Sequence, residues 1–196
     1  MVTTGVGFLT LLFGYLLGSI PFGIIFASLL QGPDPRSSGS QNIGFTNVLR
    51  VVGKKAAVAT LVADIAKGFL AVKVSQYLEL SADWVFMTGA VSVLGHVFPI
   101  FLKFRGGKGV ATSFGVLGAV DPRVLVLTGF LWIGTVLISR FVSLASMVAF
   151  GLLPLTMSYF QPSMAAAVLS IILSFLVLIR HKDNMIRLWT GTEHKF

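Results

Sequence analysis

The sequence predicts an all-α polytopic membrane protein of about seven transmembrane helices, one of them a short half-helix, with the N-terminus outside and the C-terminus inside. Three observations carry this reading. Hydrophobic residues fill 55% of the 196 positions and charged residues only 11%, too little polar surface to clothe a soluble globule. The mean hydropathy is +0.90, and the apolar residues gather in seven runs over 5–30, 52–78, 84–103, 109–120, 124–139, 142–158 and 163–180. Apart from Asp64, Lys67 and Lys73 in the second run, the charges lie between those runs or at their ends, and the basic ones collect in every second loop.

The first four runs carry marks of their own. Gly5 to Leu30 is longer than a signal-peptide core and has no basic residue ahead of it, so it is expected to stay as a span. The second run carries Asp64 and Lys67, three apart on one helical face. An isolated charge at mid-membrane costs roughly 2.5 to 3.5 kcal/mol, so the two are expected to pair, either simply orienting a helix or serving the site directly. In the third run His96 lies about two turns inside, as a buried helix–helix hydrogen bonder or as a site residue, and Pro99 should kink or break the helix near the loop. The fourth run, at 1.5 Å per residue, is about 18 Å long against a ~30 Å hydrocarbon core. It reads as a sunken half-helix, which places the preceding glycine turn in a polar cavity open to the cytoplasm.

Charge placement sets the orientation. The segments after the first run (Asp34, Arg36, Arg50, Lys54, Lys55), the third (Lys103, Arg105, Lys108), the fifth (Arg140) and the seventh (Arg180 to Lys195) are all net positive and read as cytoplasmic. The intervening turns are acidic (Glu79, Asp83), balanced (Asp121, Arg123) or uncharged (158–163). Nearly all of the net charge of +8 thus sits in short loops beside spans, which excludes a nucleic-acid-binding surface. No cysteine is present, which excludes disulfides, thiolate metal sites and a thioester on the protein. One domain without repeats, linkers, metal-ligand clusters or cofactor is expected.

Three polar clusters interrupt this apolar frame on the predicted cytoplasmic side. From Arg36 to Arg50 small hydroxyl, amide and glycine residues replace apolar ones, and Ser38, Ser40, Asn42, Thr46 and Asn47 supply short-armed donors suited to an anion. In 104–112 a glycine turn with Lys108 runs straight into the half-helix, whose N-terminal dipole favours phosphate. It is not a nucleotide-binding P-loop, because Gly109 follows the lysine and Leu102 stands at the first glycine position. In the tail, a helix would put His181, Asn184 and Arg187 on one face, with Gly191 releasing the chain so that Glu193 folds back. Taken alone, that tail equally suits an interfacial segment anchored by Trp189.

Together, Ser38-Gly-Ser-x-Asn-x-Gly-x-x-Asn-x-x-Arg50, Gly95-His-x-Phe-Pro99 running into Gly106-Gly-Lys-Gly-Val-Ala-Thr112, and His181-x-x-Asn-x-x-Arg-Leu-x-x-Gly-x-Glu193 resemble the PlsY-type bacterial glycerol-3-phosphate acyltransferases. The resemblance runs from the first loop to the tail. It implies transfer of a fatty acyl group from acyl phosphate to glycerol 3-phosphate at the cytoplasmic face of the inner membrane, giving lysophosphatidic acid and inorganic phosphate. The lipid bilayer is the remaining partner, and a monomer is expected to suffice.

For that reaction the candidate catalytic residues are His181, Lys108, Asn184, Ser40 and Arg50. Candidates for substrate binding are Ser38, Gly39, Asn42, Thr46, Asn47, Gly106, Gly107, Gly109, Thr112, Ser146, Arg187 and Glu193. Lys108 and Arg50 suit one phosphate and Arg187, Ser38 and Ser40 another, while the amides of 106–109, with Asn184 or Ser146, suit the oxyanion of the attacked carbonyl. Phosphate is already a good leaving group, so the proton to be moved is that of the attacking hydroxyl; His181 or a substrate phosphate is available to take it. A transporter would also use a half-helix facing a basic cavity, but it calls for two related halves. An acyltransferase with His and Asp five apart is excluded, since Phe101 follows His96 and Ile186 follows His181 at that offset.

Overall fold

The computed structural model describes residues 2–195, and side chains from residue 4 onward; among these there are helices and turns but no strand. The first run forms α1 (Val2–Ser19) and α2 (Phe22–Leu29), bent 42° at Pro21, which cannot donate the hydrogen bond a continuous helix would need there. A short helix, α3 (Phe45–Val51), rises from the polar loop and leads into α4 (Lys54–Tyr77), which at 24 residues is about 36 Å long. Then come α5 (Ala82–Val97), a 3₁₀ turn (Ile100–Leu102) set off by Pro99, and α6 (Val110–Val120). Next are α7 (Pro122–Ser139), α8 (Val142–Gly151), α9 (Leu153–Phe160), α10 (Met164–Arg180) and α11 (Lys182–Trp189).

The first run is thus bent where one continuous span is expected, and a second run departs likewise. The run 142–158 is two helices, bent 43° where Leu152 ends α8 and Pro154 sits in the first turn of α9. The first polar cluster also holds a short helix, since 45–51 closes into α3. By length and hydropathy α5 with its 3₁₀ turn and α7 would each cross a bilayer, and three bent pairs bring that number up to five. The pair in α4 is formed: Lys67 Nζ lies 2.8 Å from Asp64 Oδ1, donates to the Ile20 carbonyl at 3.0 Å and sits 5.6 Å from the Phe22 ring centre.

The interior is a seam where α5, α6, α8, α9 and α10 meet, with Val97, Val116, Leu117, Phe150, Leu153 and Leu173 fully buried. Outward faces are apolar instead of charged; Phe130 and Ile138 of α7 are 72% and 88% exposed, an arrangement stable against lipid and not against water. The crossing that positions α6 depends on glycine. A Cβ on Gly115 would stand 1.9 Å from the Ile65 carbonyl oxygen, and one on Gly68 2.2 Å from that of Thr112, so α4 and α6 touch backbone to backbone. The turns at the two ends of the bundle then separate: Gln161 donates to Asp121 at 2.8 Å and Gln76 to the Ala119 carbonyl at 3.1 Å at one end, while the three polar clusters gather at the other.

Candidate active site

The polar clusters enclose a cavity of about 410 Å³. Its wall takes Ser40, Thr46 and Arg50 from the first cluster, Lys108 to Ala111 from the glycine turn and α6, Ser143 and Ser146 from α8, and His181, Asn184, Arg187 and Glu193 from the tail. Leu61, Ile65, Phe114 and Trp132 make an apolar side, held by an edge-on contact of Phe114 with Trp132 and a hydrogen bond from Trp132 Nε1 to Ser146 Oγ at 3.1 Å.

The first loop is organised by Asn47 at the start of α3. Its side chain is buried and spends itself on the loop: Nδ2 donates to the carbonyls of Pro35 at 2.6 Å and Asn42 at 2.9 Å, and Oδ1 accepts from the Ser40 amide at 2.9 Å. Gly39, at φ +62°, passes so near that a Cβ would stand 2.3 Å from Asn47 Oδ1. Asn42 Oδ1 accepts from the Gly44 amide at 2.9 Å and closes a second turn. Ser40, Thr46 and Arg50 share the cavity wall with Gly39, Asn42 and Asn47.

The glycine turn is held more tightly. The Gly106 amide donates to the Val97 carbonyl at 3.2 Å and the Gly107 amide to that of His96 at 3.1 Å, while Arg180 donates to the Gly106 carbonyl at 2.9 Å and the Gly107 carbonyl at 3.2 Å. Of the amides of 106–109 expected to hold an oxyanion, those of Gly106 and Gly107 are therefore already engaged and neither glycine is on the cavity wall, whereas Lys108 and Gly109 do line it. Further donors lie one step on. Val110 and Ala111 line the cavity, and their amides are among the four that a helix start leaves without an internal acceptor.

From the turn Lys108 reaches the tail. Its Nζ donates to Asn184 Oδ1 at 2.5 Å; Asn184 Nδ2 donates to Glu193 Oε1 at 2.7 Å, which also accepts from Ser143 Oγ at 2.8 Å; Arg187 Nε donates to Glu193 Oε2 at 2.7 Å. Burial pushes the Lys108 ammonium down to about 8, with Arg187 and Arg180 adding to the shift and Glu193 opposing it. Burial of Glu193 raises its carboxyl, but the hydrogen bonds from Ser143, Arg187 and Asn184 outweigh it and leave the group below its usual range. His181 Nδ1 stands 2.8 Å from the Val177 carbonyl, which only accepts, so Nδ1 carries the proton and Nε2 keeps a free lone pair. Burial, then the Lys108 charge, pushes this imidazole down to about 4, and it is neutral at physiological pH.

Of the residues the sequence nominates, Gly39, Ser40, Asn42, Thr46, Asn47, Arg50, Lys108, Gly109, Ser146, His181, Asn184, Arg187 and Glu193 meet around this cavity. Ser38, Gly106, Gly107 and Thr112 do not: Ser38 is exposed outside it, the glycines are consumed by the turn, and Thr112 is buried where α6 crosses α4. Sequence reasoning passed over Ser143, although it stands three residues before Ser146 on one face of α8, a spacing that would have found it. The buried pair of α4 also reaches the wall, for Asp64 lines the cavity together with His96, whose Nδ1 is 3.5 Å from Asp64 Oδ1.

A helical bundle with lipid-facing sides, and at one end a cavity where cations, a neutral imidazole and an apolar wall meet, defines a membrane protein built to handle a phosphorylated, partly apolar ligand. The family profile described as glycerol-3-phosphate acyltransferase matches residues 8–191, and this chain belongs to that family. Similar proteins named glycerol-3-phosphate acyltransferase include those of Geotalea daltonii (40% identical over 182 residues, 93% of each chain) and Nitrosospira multiformis (43% over 185 residues, 92% of each). Two crystal structures of PlsY, an integral membrane glycerol 3-phosphate acyltransferase, have the same fold. The glycerol 3-phosphate form matches with a TM-score of 0.92 at 40% identity, over 97% of this chain and 96% of that one. The lysophosphatidic acid form matches at 0.90 and 39%, over 97% and 95%. The chain is thus a membrane acyltransferase.

Proposed function

We propose that this enzyme transfers a fatty acyl group from acyl phosphate to glycerol 3-phosphate, releasing lysophosphatidic acid and inorganic phosphate in the first acylation of phospholipid synthesis. The observation that carries the reading is that one cavity joins Lys108, Arg50 and Arg187 to the apolar side of Leu61, Ile65, Phe114 and Trp132. Both substrates bring phosphate, and one also brings an alkyl chain.

The cations offset the repulsion between two phosphates, with Lys108 and Arg50 assigned to one and Arg187 and Ser40 to the other. The glycerol hydroxyl oxygen attacks the acyl carbonyl carbon, a C–O bond forms, and the bond to the phosphate oxygen breaks with that oxygen keeping the electron pair. Charge developing on the carbonyl oxygen meets the amides of Val110 and Ala111, and such a donor contributes ~2.7 to 4 kcal/mol in other enzymes. The hydroxyl proton has two acceptors within the cavity, a substrate phosphate and Nε2 of His181. Arriving phosphates offset the Lys108 charge and raise the proton affinity of that imidazole. A His181→Gln protein separates the two: loss of kcat by roughly 10² or more with unchanged glycerol 3-phosphate binding assigns the step to His181, and retained kcat assigns it to phosphate.

We read the chain as seven spans, with α1–α2 and α8–α9 as one bent span each, N-terminus outside, and the cavity open to the cytoplasm of a bacterial inner membrane, working as a monomer. The net positive loops all lie at the cavity end, which supports this orientation. Because the chain has no cysteine, single cysteines at Ser38 and Glu79 report sidedness directly. Labelling of Ser38→Cys from outside would overturn it. The reaction itself is tested with purified protein, glycerol 3-phosphate and either acyl phosphate or acyl-CoA: lysophosphatidic acid should form with acyl phosphate, and formation from acyl-CoA alone would sink the donor assignment.

A further inference from the structure

Arg180 ends α10 away from the cavity wall, yet it touches both halves of the site. His181 is the next residue in the chain. Across the bundle, Nη2 and Nε of Arg180 donate to the consecutive carbonyls of Gly106 and Gly107, at 2.9 and 3.2 Å, and Lys108 is the next residue there. The guanidinium carbon also stands 6.0 Å from the centre of the Phe98 ring, at the end of α5. The two peptide amides of the turn go to Val97 and His96, so with Arg180 in place all four polar groups of Gly106 and Gly107 are engaged. Bare glycine is needed for this fit, since a Cβ on Gly107 would stand 2.1 Å from His96 Nε2.

We propose that Arg180 is a positioning residue for acyl transfer, a two-point strut fixing the turn that carries Lys108 relative to the helix end that carries His181. The roles of Lys108 and His181 rest on the function proposed above; the strut itself does not. A planar fork with two parallel donors fits two adjacent carbonyls, and an ammonium does not reproduce that fit. Without it two carbonyls in a buried turn lose their partners and the turn relaxes. Lys108 then shifts against the imidazole, and displacements of about 1 Å cost on the order of 10² in rate.

The test has one readout for catalysis and another that needs no activity. Arg180→Ala should lower kcat roughly 10²-fold while changing KM less, and Arg180→Lys should restore part of that loss. Independently, the pH midpoint for labelling of Lys108 by an amine-reactive reagent, read by mass spectrometry, should fall near 8 in the parent protein, where burial depresses the ammonium. It should rise in Arg180→Ala, which removes one like charge and loosens the turn. The other groups facing Lys108, namely Glu193, Arg187, Asp183, His181, Arg50, Asp64 and His96, stay as they are. Parent-like kcat together with a parent-like midpoint in Arg180→Ala overturns the strut. Should that protein fail to fold, Arg180→Lys decides alone: reduced kcat supports the two-point grip and parent kcat refutes it. If the parent makes no lysophosphatidic acid from acyl phosphate, the proposed function falls, while the Lys108 midpoint still tests Arg180.

Discussion

The serine-rich loop and the glycine turn are both polar, both glycine-bearing and both beside the cavity, yet they spend their hydrogen bonds differently. In the loop Asn47 gives its whole amide to Pro35, Asn42 and Ser40, so one of the donors the sequence suits to an anion builds the wall instead. In the turn the backbone of Gly106 and Gly107 is consumed by α5 and α10, and this frees Lys108: of its three donors, one goes to Asn184. Under the proposed function, what distinguishes a ligand-binding group from a scaffolding group is unspent hydrogen-bonding capacity. Residue type alone does not separate the two.

The largest expected effect breaks the comparison if it fails. Lys108→Ala should lower kcat/KM for acyl transfer by 10² or more in a protein that still elutes as a folded species, because a preorganised charge is lost without loss of scaffold. Asn47→Ala should do the reverse, lowering the thermal midpoint in detergent through about 1–3 kcal/mol of buried, unpartnered backbone. A fall in turnover without that drop would make Asn47 a ligand after all. More modest is the pH response. Lys108 is depressed to about 8 and acts as a cation, so kcat/KM should hold below that pH and decline above it, whereas kcat, measured with phosphates bound, should decline at higher pH. The smallest effect belongs to Ser38→Ala, which alters an exposed position outside the cavity and should leave kcat/KM within about twofold.

The apolar runs were legible because bilayer thickness imposes helix length on composition, and the Asp64–Lys67 contact because three residues is a fixed helical spacing. The convergence of the three clusters followed from charge placement. What escaped was whatever depends on a distant neighbour: that Arg180 would meet two carbonyls over 70 positions earlier, that Ser143 would bond Glu193, and that Gly106 and Gly107 would have no amide to spare. Local pattern marks those residues as polar or flexible and carries no information about which groups arrive opposite them. The bends at Pro21 and before Pro154 were visible as prolines inside apolar runs, but hydropathy averaged them away.

The ion pair in α4 has a consequence for biogenesis. Lys67 is shielded by Asp64 one turn away, by the Ile20 carbonyl and by the Phe22 ring, and two of those three groups belong to the chain's opening segment. Synthesis runs from the N-terminus, so the Ile20 and Phe22 groups are made before the lysine they cover in the folded bundle. The most polar of the long helices is therefore admitted as a late guest of its predecessor, and grafting α4 behind an unrelated leader should leave it stranded at the surface.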